Sequence, residues 1–236
     1  MPDYDFSDRV VAVTGAGGRL GRRLGRRLLE RGATVAALDR PDPLGDLTWR
    51  DEAHALPFDA TDEERVADAF AEVHSRAGRL DALVHTVGTW AGAPLLDTPQ
   101  EDFERQVRLN LTSTFLCFRE AARRMQKGHN NSFDHAPDKR LVAFASGQGA
   151  DWGAPEQYGY SAAKAGVVRL VEAAAAELKE AGITASAIAP STILFGGKTD
   201  QAGVPAGRLV ALVEHVLSPA GDAVNGAVLR AYGSAR

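Results

Sequence analysis

Arg9-Val-Val-Ala-Val-Thr-Gly-Ala-Gly-Gly-Arg-Leu-Gly21 decides how the rest of the chain is read. Arg9 to Val13 form a short apolar run of strand type. Thr14-Gly-Ala-Gly-Gly-Arg-Leu-Gly21 follows directly, and Leu20, Leu24 and Leu28 then recur on one helical face. Strand, glycine-rich turn and helix in that order build a phosphate-binding corner. The glycines let backbone approach a pyrophosphate, and the helix N-terminus offers free N–H groups and a positive dipole. The candidate contacts are Thr14, Gly15, Gly18, Arg19, Leu20 and Gly21. Arg22, Arg23, Arg26, Arg27 and Arg31 fall opposite the leucines, as on a solvated face, and only Arg19 is placed near the phosphates.

Further along, short strand-like runs alternate with helical segments, the pattern of a parallel sheet covered by helices on both faces. Strands are expected near 9–13, 33–38, 54–58, 81–85, 140–145, 183–188 and 227–231, and helices near 19–31, 62–77, 99–126, 158–181 and 206–218. Gly128-His-Asn-Asn-Ser-Phe-Asp-His-Ala-Pro-Asp138 reads as a polar surface loop before the fifth strand. The second strand ends at Asp39, eighteen residues beyond Gly21. A carboxylate there accepts hydrogen bonds from an adenosine ribose and repels a 2′-phosphate, which favours NAD. Arg40 keeps NADP open, since a guanidinium pairs with that phosphate.

In Gln157-Tyr-Gly-Tyr-Ser-Ala-Ala-Lys164, Tyr160 and Lys164 lie four apart on one helical face. A lysine beside a tyrosine favours the phenolate, so the hydroxyl is expected to exchange protons closer to neutrality than its usual ~10. Reversible carbonyl reduction needs such a group.

With these motifs in this order, the chain resembles the short-chain dehydrogenase/reductase family over nearly its whole length. The resemblance implies a single Rossmann-type domain over 1–236, a doubly wound sheet of about seven strands. It also implies a tetrad. Asn110, in Arg108-Leu-Asn-Leu-Thr-Ser-Thr-Phe115, matches the family's helix asparagine, and Ser146, after Leu141-Val-Ala-Phe-Ala145, matches its catalytic serine. Tyr160 and Lys164 complete it. Asp59, in Pro57-Phe-Asp-Ala60, matches an aspartate beside adenine, and it also reads as a cap ahead of Thr61-Asp-Glu-Glu. The family further implies a homodimer or homotetramer paired through the helices near 99–126 and 158–181.

Several positions depart from the family pattern. Arg19 stands where a glycine is common, and His85-Thr-Val-Gly88 replaces Asn-Asn-Ala-Gly. His85 is then expected as a strand-end contact near the cofactor rather than an acid–base group. Ser146 precedes Tyr160 by fourteen residues, one more than usual, so either the loop is lengthened or Gly147 takes the serine's place. Pro190-Ser-Thr-Ile193 replaces a Pro-Gly start and Phe195 a common threonine, with Ile193 backbone left for the carboxamide and a short lid expected near 193–205. Gly88-Thr-Trp-Ala-Gly92 together with Pro190-Ser-Thr-Ile193 is similar to the dihydropteridine-reductase-like branch. Trp90 and Trp152 should reach the carboxyl edge of the sheet, either to stack a flat substrate or to anchor loops.

Composition fits this reading. A chain of 236 residues with 44% hydrophobic content buries one sizeable core. A net charge of −4 gives no reason to expect nucleic acid or an anionic membrane as partner. Cys117 is the only cysteine, sits in apolar Phe115-Leu-Cys-Phe118 and reads as a buried thiol. The start, Met1-Pro-Asp-Tyr-Asp-Phe-Ser-Asp8, lacks signal-peptide character, and no apolar run approaches the ~20 residues of a membrane span. A cytoplasmic location follows, in which the sequon Asn130-Asn-Ser132 has no meaning. No metal-ligating motif is present. The expected protein is an NAD(P)-dependent oxidoreductase that moves a hydride between cofactor and a small carbonyl or alcohol. A non-catalytic dinucleotide-binding sensor or scaffold is the alternative, and a pterin-type reductase the alternative among enzymes.

Overall fold

The computed structural model describes residues 4–126, 138–196 and 202–234. Strands β1 (Val10–Thr14), β2 (Thr34–Asp39), β3 (His54–Pro57), β4 (Ala82–His85), β5 (Lys139–Phe144) and β6 (Ile183–Pro190) enter one sheet. The two-residue strands β7 (Ile193–Leu194) and β8 (Val204–Pro205) pair only with each other, and β9 (Val228–Ala231) returns to the main sheet. Its order is β3-β2-β1-β4-β5-β6-β9, every pairing parallel. The order reverses between β1 and β4, where open α/β sheets leave a crevice beyond the strand carboxyl ends. In register, Thr14 lies opposite both Leu38 and His85, so the three strand ends meet at one level.

The helices are α1 (Arg19–Glu30), α2 (Pro41–Gly45), α3 (Glu63–Ala77), α4 (Gln100–Val107), α5 (Ser113–Gln126), α6 (Gly147–Ala150), α7 (Tyr158–Leu178) and α8 (Ala206–Leu217). Leu20, Leu24 and Leu28 of α1 are buried with α8 residues Leu209, Val210 and Val213 on one face of the sheet. Val66, Phe70 and Val73 of α3, Leu116, Cys117 and Met125 of α5, and Val167, Val168 and Val171 of α7 cover the other. Each such side chain contributes about 1.5–3 kcal/mol of burial. Asp62 caps α3 by accepting from the N–H groups of Glu64 and Arg65, and Gly78 closes the helix at φ 76°.

Each expected strand is present within one or two residues. The expected helix over 99–126 is the main correction: α4 and α5 are separated by a π-helical turn, Arg108–Thr112, with Asn110 in its middle. No glycine or proline marks that turn in the sequence, and single π turns occur inside otherwise regular α-helices. The expected helix 158–181 ends in a 3-10 turn, Lys179–Ala181. Short elements α2, α6, β7 and β8 carry too few residues for a periodicity. The expected loop Gly128–Asp138, with its sequon, falls almost wholly outside the described residues, as does the middle of the segment 193–205.

Close packing sets the position of α1. A Cβ on Gly21 would stand 2.1 Å from the Gly15 carbonyl oxygen, so α1 sits directly on the turn that precedes it. Replacing Gly21 by alanine must push α1 off the turn at Gly15 and Ala16. Gly21→Ala is expected to lower the unfolding free energy by about 1–3 kcal/mol in urea titrations.

Candidate active site

Two adjoining cavities run along the carboxyl edge of the sheet on either side of Thr86, Gly88 and Thr89, which line both. The smaller, about 540 Å³, is bounded by Gly15, Gly17, Gly18, Asp39, Arg40, Asp59 and Ala60. The larger, about 850 Å³, is bounded by Arg19, Leu20, Asn110, Ser146, Tyr160, Lys164, Pro190 and Ile193, with both Trp90 and Trp152. Expected site residues from widely separated segments therefore converge.

The glycine turn suits a pyrophosphate by what it lacks. Gly18 at the N-cap of α1 gives no side-chain cap, and the first turn holds no acidic residue. Its leading N–H groups remain directed at whatever anion lies there. Gly15 has φ +70°, and a Cβ on it would approach the Thr86 hydroxyl to 2.7 Å. Asp39 accepts from the N–H of Gly17 at 2.9 Å and from its neighbour Arg40 at 2.8 Å, which fixes its carboxylate at the rim. Asp59 accepts from Thr61 N–H at 2.8 Å and from the Thr61 hydroxyl at 2.7 Å. The backbone bond leads in holding Asp59 below its ordinary range. Asp59 thus serves as a turn cap and lines the cavity as well, while the cap of α3 itself is Asp62. Arg19 places its guanidinium 4.1 Å above the Phe195 ring, and Arg23 donates to the Phe195 carbonyl at 3.0 Å.

In the larger cavity, Ser146 closes β5 and caps the short α6, accepting from Gln148 N–H at 3.3 Å. The longer loop is absorbed between α6 and α7, where Glu156 takes φ 63° and its carbonyl accepts from Ala93 N–H at 2.9 Å. Gly147 borders the same cavity, but it is the Ser146 hydroxyl that is within hydrogen-bonding reach of Tyr160. Burial holds the Tyr160 phenol above its ordinary pKa, and a hydrogen bond from Ser146 only partly offsets this. That corrects the expectation of a phenol shifted toward neutrality. The Lys164 ammonium lies 5.8 Å from the Tyr160 ring centroid and donates to the Phe144 carbonyl at 2.7 Å. Burial brings Lys164 down to about 8. Asn110, fully buried, donates to the carbonyls of Thr89 and Gln106 at 2.9 Å and accepts from Thr89 N–H at 3.2 Å. A Cβ on Gly88 would come within 2.7 Å of its side-chain oxygen.

Three expected cofactor contacts lie beneath the cavities instead. Gly21 is a packing position under the turn. Thr14 and His85 are 0% and 2% exposed, and the Thr14 hydroxyl meets His85 Nδ1 at 2.8 Å. The strand-end geometry turns both side chains into the protein. Sequence reasoning missed Gly17, Thr86 and Thr89, which flank residues it did identify, and the wall residues Gln148 and Gln157. Trp152 packs edge-on against Tyr232 with centroids 5.4 Å apart, while Trp90 is 61% exposed. Among the described residues no group of three or more His, Cys, Asp or Glu side chains could hold a metal ion, and no helix is long and apolar enough to cross a membrane.

This geometry belongs to a known class. The family model for short chain dehydrogenase matches residues 9–201, and the chain belongs to that family. It is an oxidoreductase that acts on CH–OH or C=O groups with a nicotinamide dinucleotide. The chain is 33% identical over 190 residues to the 3-oxoacyl-[acyl-carrier-protein] reductase MabA of Mycobacterium bovis, covering 80% of this chain and 70% of that protein. It is 31% identical over 191 residues to the 2-dehydro-3-deoxy-L-rhamnonate dehydrogenase (NAD(+)) of a Sphingomonas species, covering 79% and 73%. Among solved structures, NAD+-bound xylitol dehydrogenase superposes with a TM-score of 0.84 at 25% identity, covering 97% of this chain and 99% of that one. None of this supports a non-catalytic sensor.

His85 yields a pH prediction. Burial, reinforced by the Lys164 charge, drives it down to about 3. Because this lies below the unfolded value of ~6.5, the unfolded chain takes up the proton first. The contribution to stability is complete above pH ~6.5 and is lost as the pH falls through about 3. Urea titrations are expected to show stability declining by on the order of 1 kcal/mol per unit between about pH 6 and 4, and His85→Asn should remove that part of the slope.

Proposed function

We propose that Tyr160, Ser146, Lys164 and Asn110 carry carbonyl reduction and its reverse with NAD as the preferred cofactor. The observation behind this is that Ser146, Tyr160 and Lys164 line one cavity that adjoins the glycine turn and shares Thr86, Gly88 and Thr89 with it. The uncapped start of α1 would hold the pyrophosphate, with Gly15, Gly17 and Gly18 letting it approach the backbone, and Asp39 the adenosine ribose. Asp59 and Ala60 would border the adenine, and Pro190 and Ile193 the carboxamide end. When bound, the nicotinamide supplies or takes up the hydride.

Tyr160 transfers the proton at the substrate oxygen. Its raised pKa keeps it an acid at neutral pH, which suits the reducing direction. Ser146 donates a hydrogen bond to the same oxygen as charge develops there. Lys164 provides positive charge beside the phenol and a donor to the nicotinamide ribose. Asn110 fixes Thr89 on the floor between the two cavities and, as in the family, positions water for proton resupply. Trp90, with most of its ring exposed at the cavity, offers a stacking face for a flat substrate, whereas Trp152 is anchored on Tyr232 and shapes the wall. That exposed indole also favours the pterin-type reading among enzymes.

The remaining features follow the family. The ends of the expected short lid pair with each other, Ile193–Leu194 of β7 with Val204–Pro205 of β8. The exposed rings of Phe103 and Phe115 on α4 and α5 support assembly into a homodimer or homotetramer, and a cytoplasmic location fits the lone buried Cys117.

NADH is expected to raise the melting temperature more than NADPH at equal concentration, and Asp39→Ala to narrow the difference. With NADH and a panel of cyclic and aromatic carbonyls, Tyr160→Phe should lose roughly a hundred- to ten-thousand-fold in turnover while keeping the NADH shift. Full turnover in that variant would dismiss the assignment.

A further inference from the structure

We propose that His85 is a positioning residue: one directed hydrogen-bond chain, from Thr14 through His85 to Ser113, ties the base of the glycine turn to the π-helical turn that carries Asn110. The direction of the chain follows from its far end. Ser113 gives its single hydroxyl hydrogen to the Leu109 carbonyl at 2.8 Å. Its oxygen is therefore the acceptor toward His85 Nε2 at 3.2 Å, and Nε2 must carry the imidazole hydrogen. Nδ1 is then the acceptor and takes the Thr14 hydroxyl at 2.8 Å. The opposite tautomer would set the bare Nε2 against a hydroxyl oxygen with no hydrogen between them. Thr14, His85 and Ser113 are all buried, so water cannot repair such a clash.

The three side chains belong to three different parts of the site. Thr14 is the last residue of β1 and the origin of the turn over which the dinucleotide would lie. His85 is its register partner at the end of β4. Ser113 opens α5, and its acceptor Leu109 sits inside the π turn. Backbone bonds already join β1 to β4, but they stop at Thr86 N–H on the Thr14 carbonyl. The imidazole carries the connection one element further, to the segment whose Asn110 clamps Thr89. An asparagine in this place has an atom at the Nδ1 position only, and a glutamine has one at the Nε2 position only. Histidine spans both.

That difference gives a test in which each variant keeps half of the chain. His85→Asn retains an acceptor for Thr14 and loses Ser113; His85→Gln retains Ser113 and loses Thr14. Two readouts follow: the NADH dissociation constant, from quenching of tryptophan fluorescence, and the exchange rates of backbone amides 109–114 without ligand. The asparagine variant is expected to bind NADH within about twofold of the wild type but exchange faster at 109–114. The glutamine variant should do the reverse, with NADH binding weakened about fivefold. A general loss of packing would move both readouts in both variants, and that result, or no change in either, would overturn the proposal. If the imidazole variants do not fold, Ser113→Ala and Thr14→Val must show the same split. The imidazole nitrogen resonances of the wild-type protein must report hydrogen on Nε2 alone. The proposal rests on the dinucleotide reading, for which the wild-type NADH titration is the separate control: absent binding there defeats that reading, while the exchange rates still judge the chain.

Discussion

The missing side chain at Gly21 is the constraint on which the site depends. It lets α1 rest on the Gly15 carbonyl, and that fixes where the uncapped helix start points. The turn between them has little freedom left. Gly15 holds a left-handed φ against Thr86, and a Cβ on Gly17 would stand 2.4 Å from Pro43. Asp39, reached through Gly17 N–H, is set at the rim by the same turn. The start of α1, the Asp39 carboxylate at the rim and the floor at Thr86 take their places from one close approach.

Across the cavity, burial governs the chemistry more than proximity does. The four-residue spacing of Tyr160 and Lys164 places them on one face, as the sequence implies. The ammonium nevertheless donates to Phe144, and desolvation raises the phenol and lowers the lysine together. Spacing alone reports which groups meet, whereas their proton affinities depend on how much water each has lost. His85, deeper still, remains neutral for the same reason.

Much of the fold was legible because it rests on local patterns. The apolar runs of β1 and β5, the leucine face of α1 and the glycine turn each announce themselves within a dozen residues. The order of motifs also picked out Ser146, Tyr160, Lys164 and Asn110, which the fold brings to the wall of one cavity. What stayed hidden depends on which way a side chain turns at a strand end. Thr14 and His85 sit at the correct level of the sheet yet point inward, and no spacing distinguishes that from pointing at a ligand. The π turn around Asn110 was hidden for a related reason, since one extra residue in a helical turn leaves no compositional trace.

Arg19 belongs to two structures at once. It opens the helix that faces the glycine turn, and its guanidinium covers the ring of Phe195, just past β7. Arg23, one turn further, holds the carbonyl of the same residue. The residues just past β7 that border the larger cavity are thereby riveted to the helix that follows the glycine turn. The two cannot be altered independently: removing the Phe195 ring also frees the guanidinium of Arg19 at the start of α1.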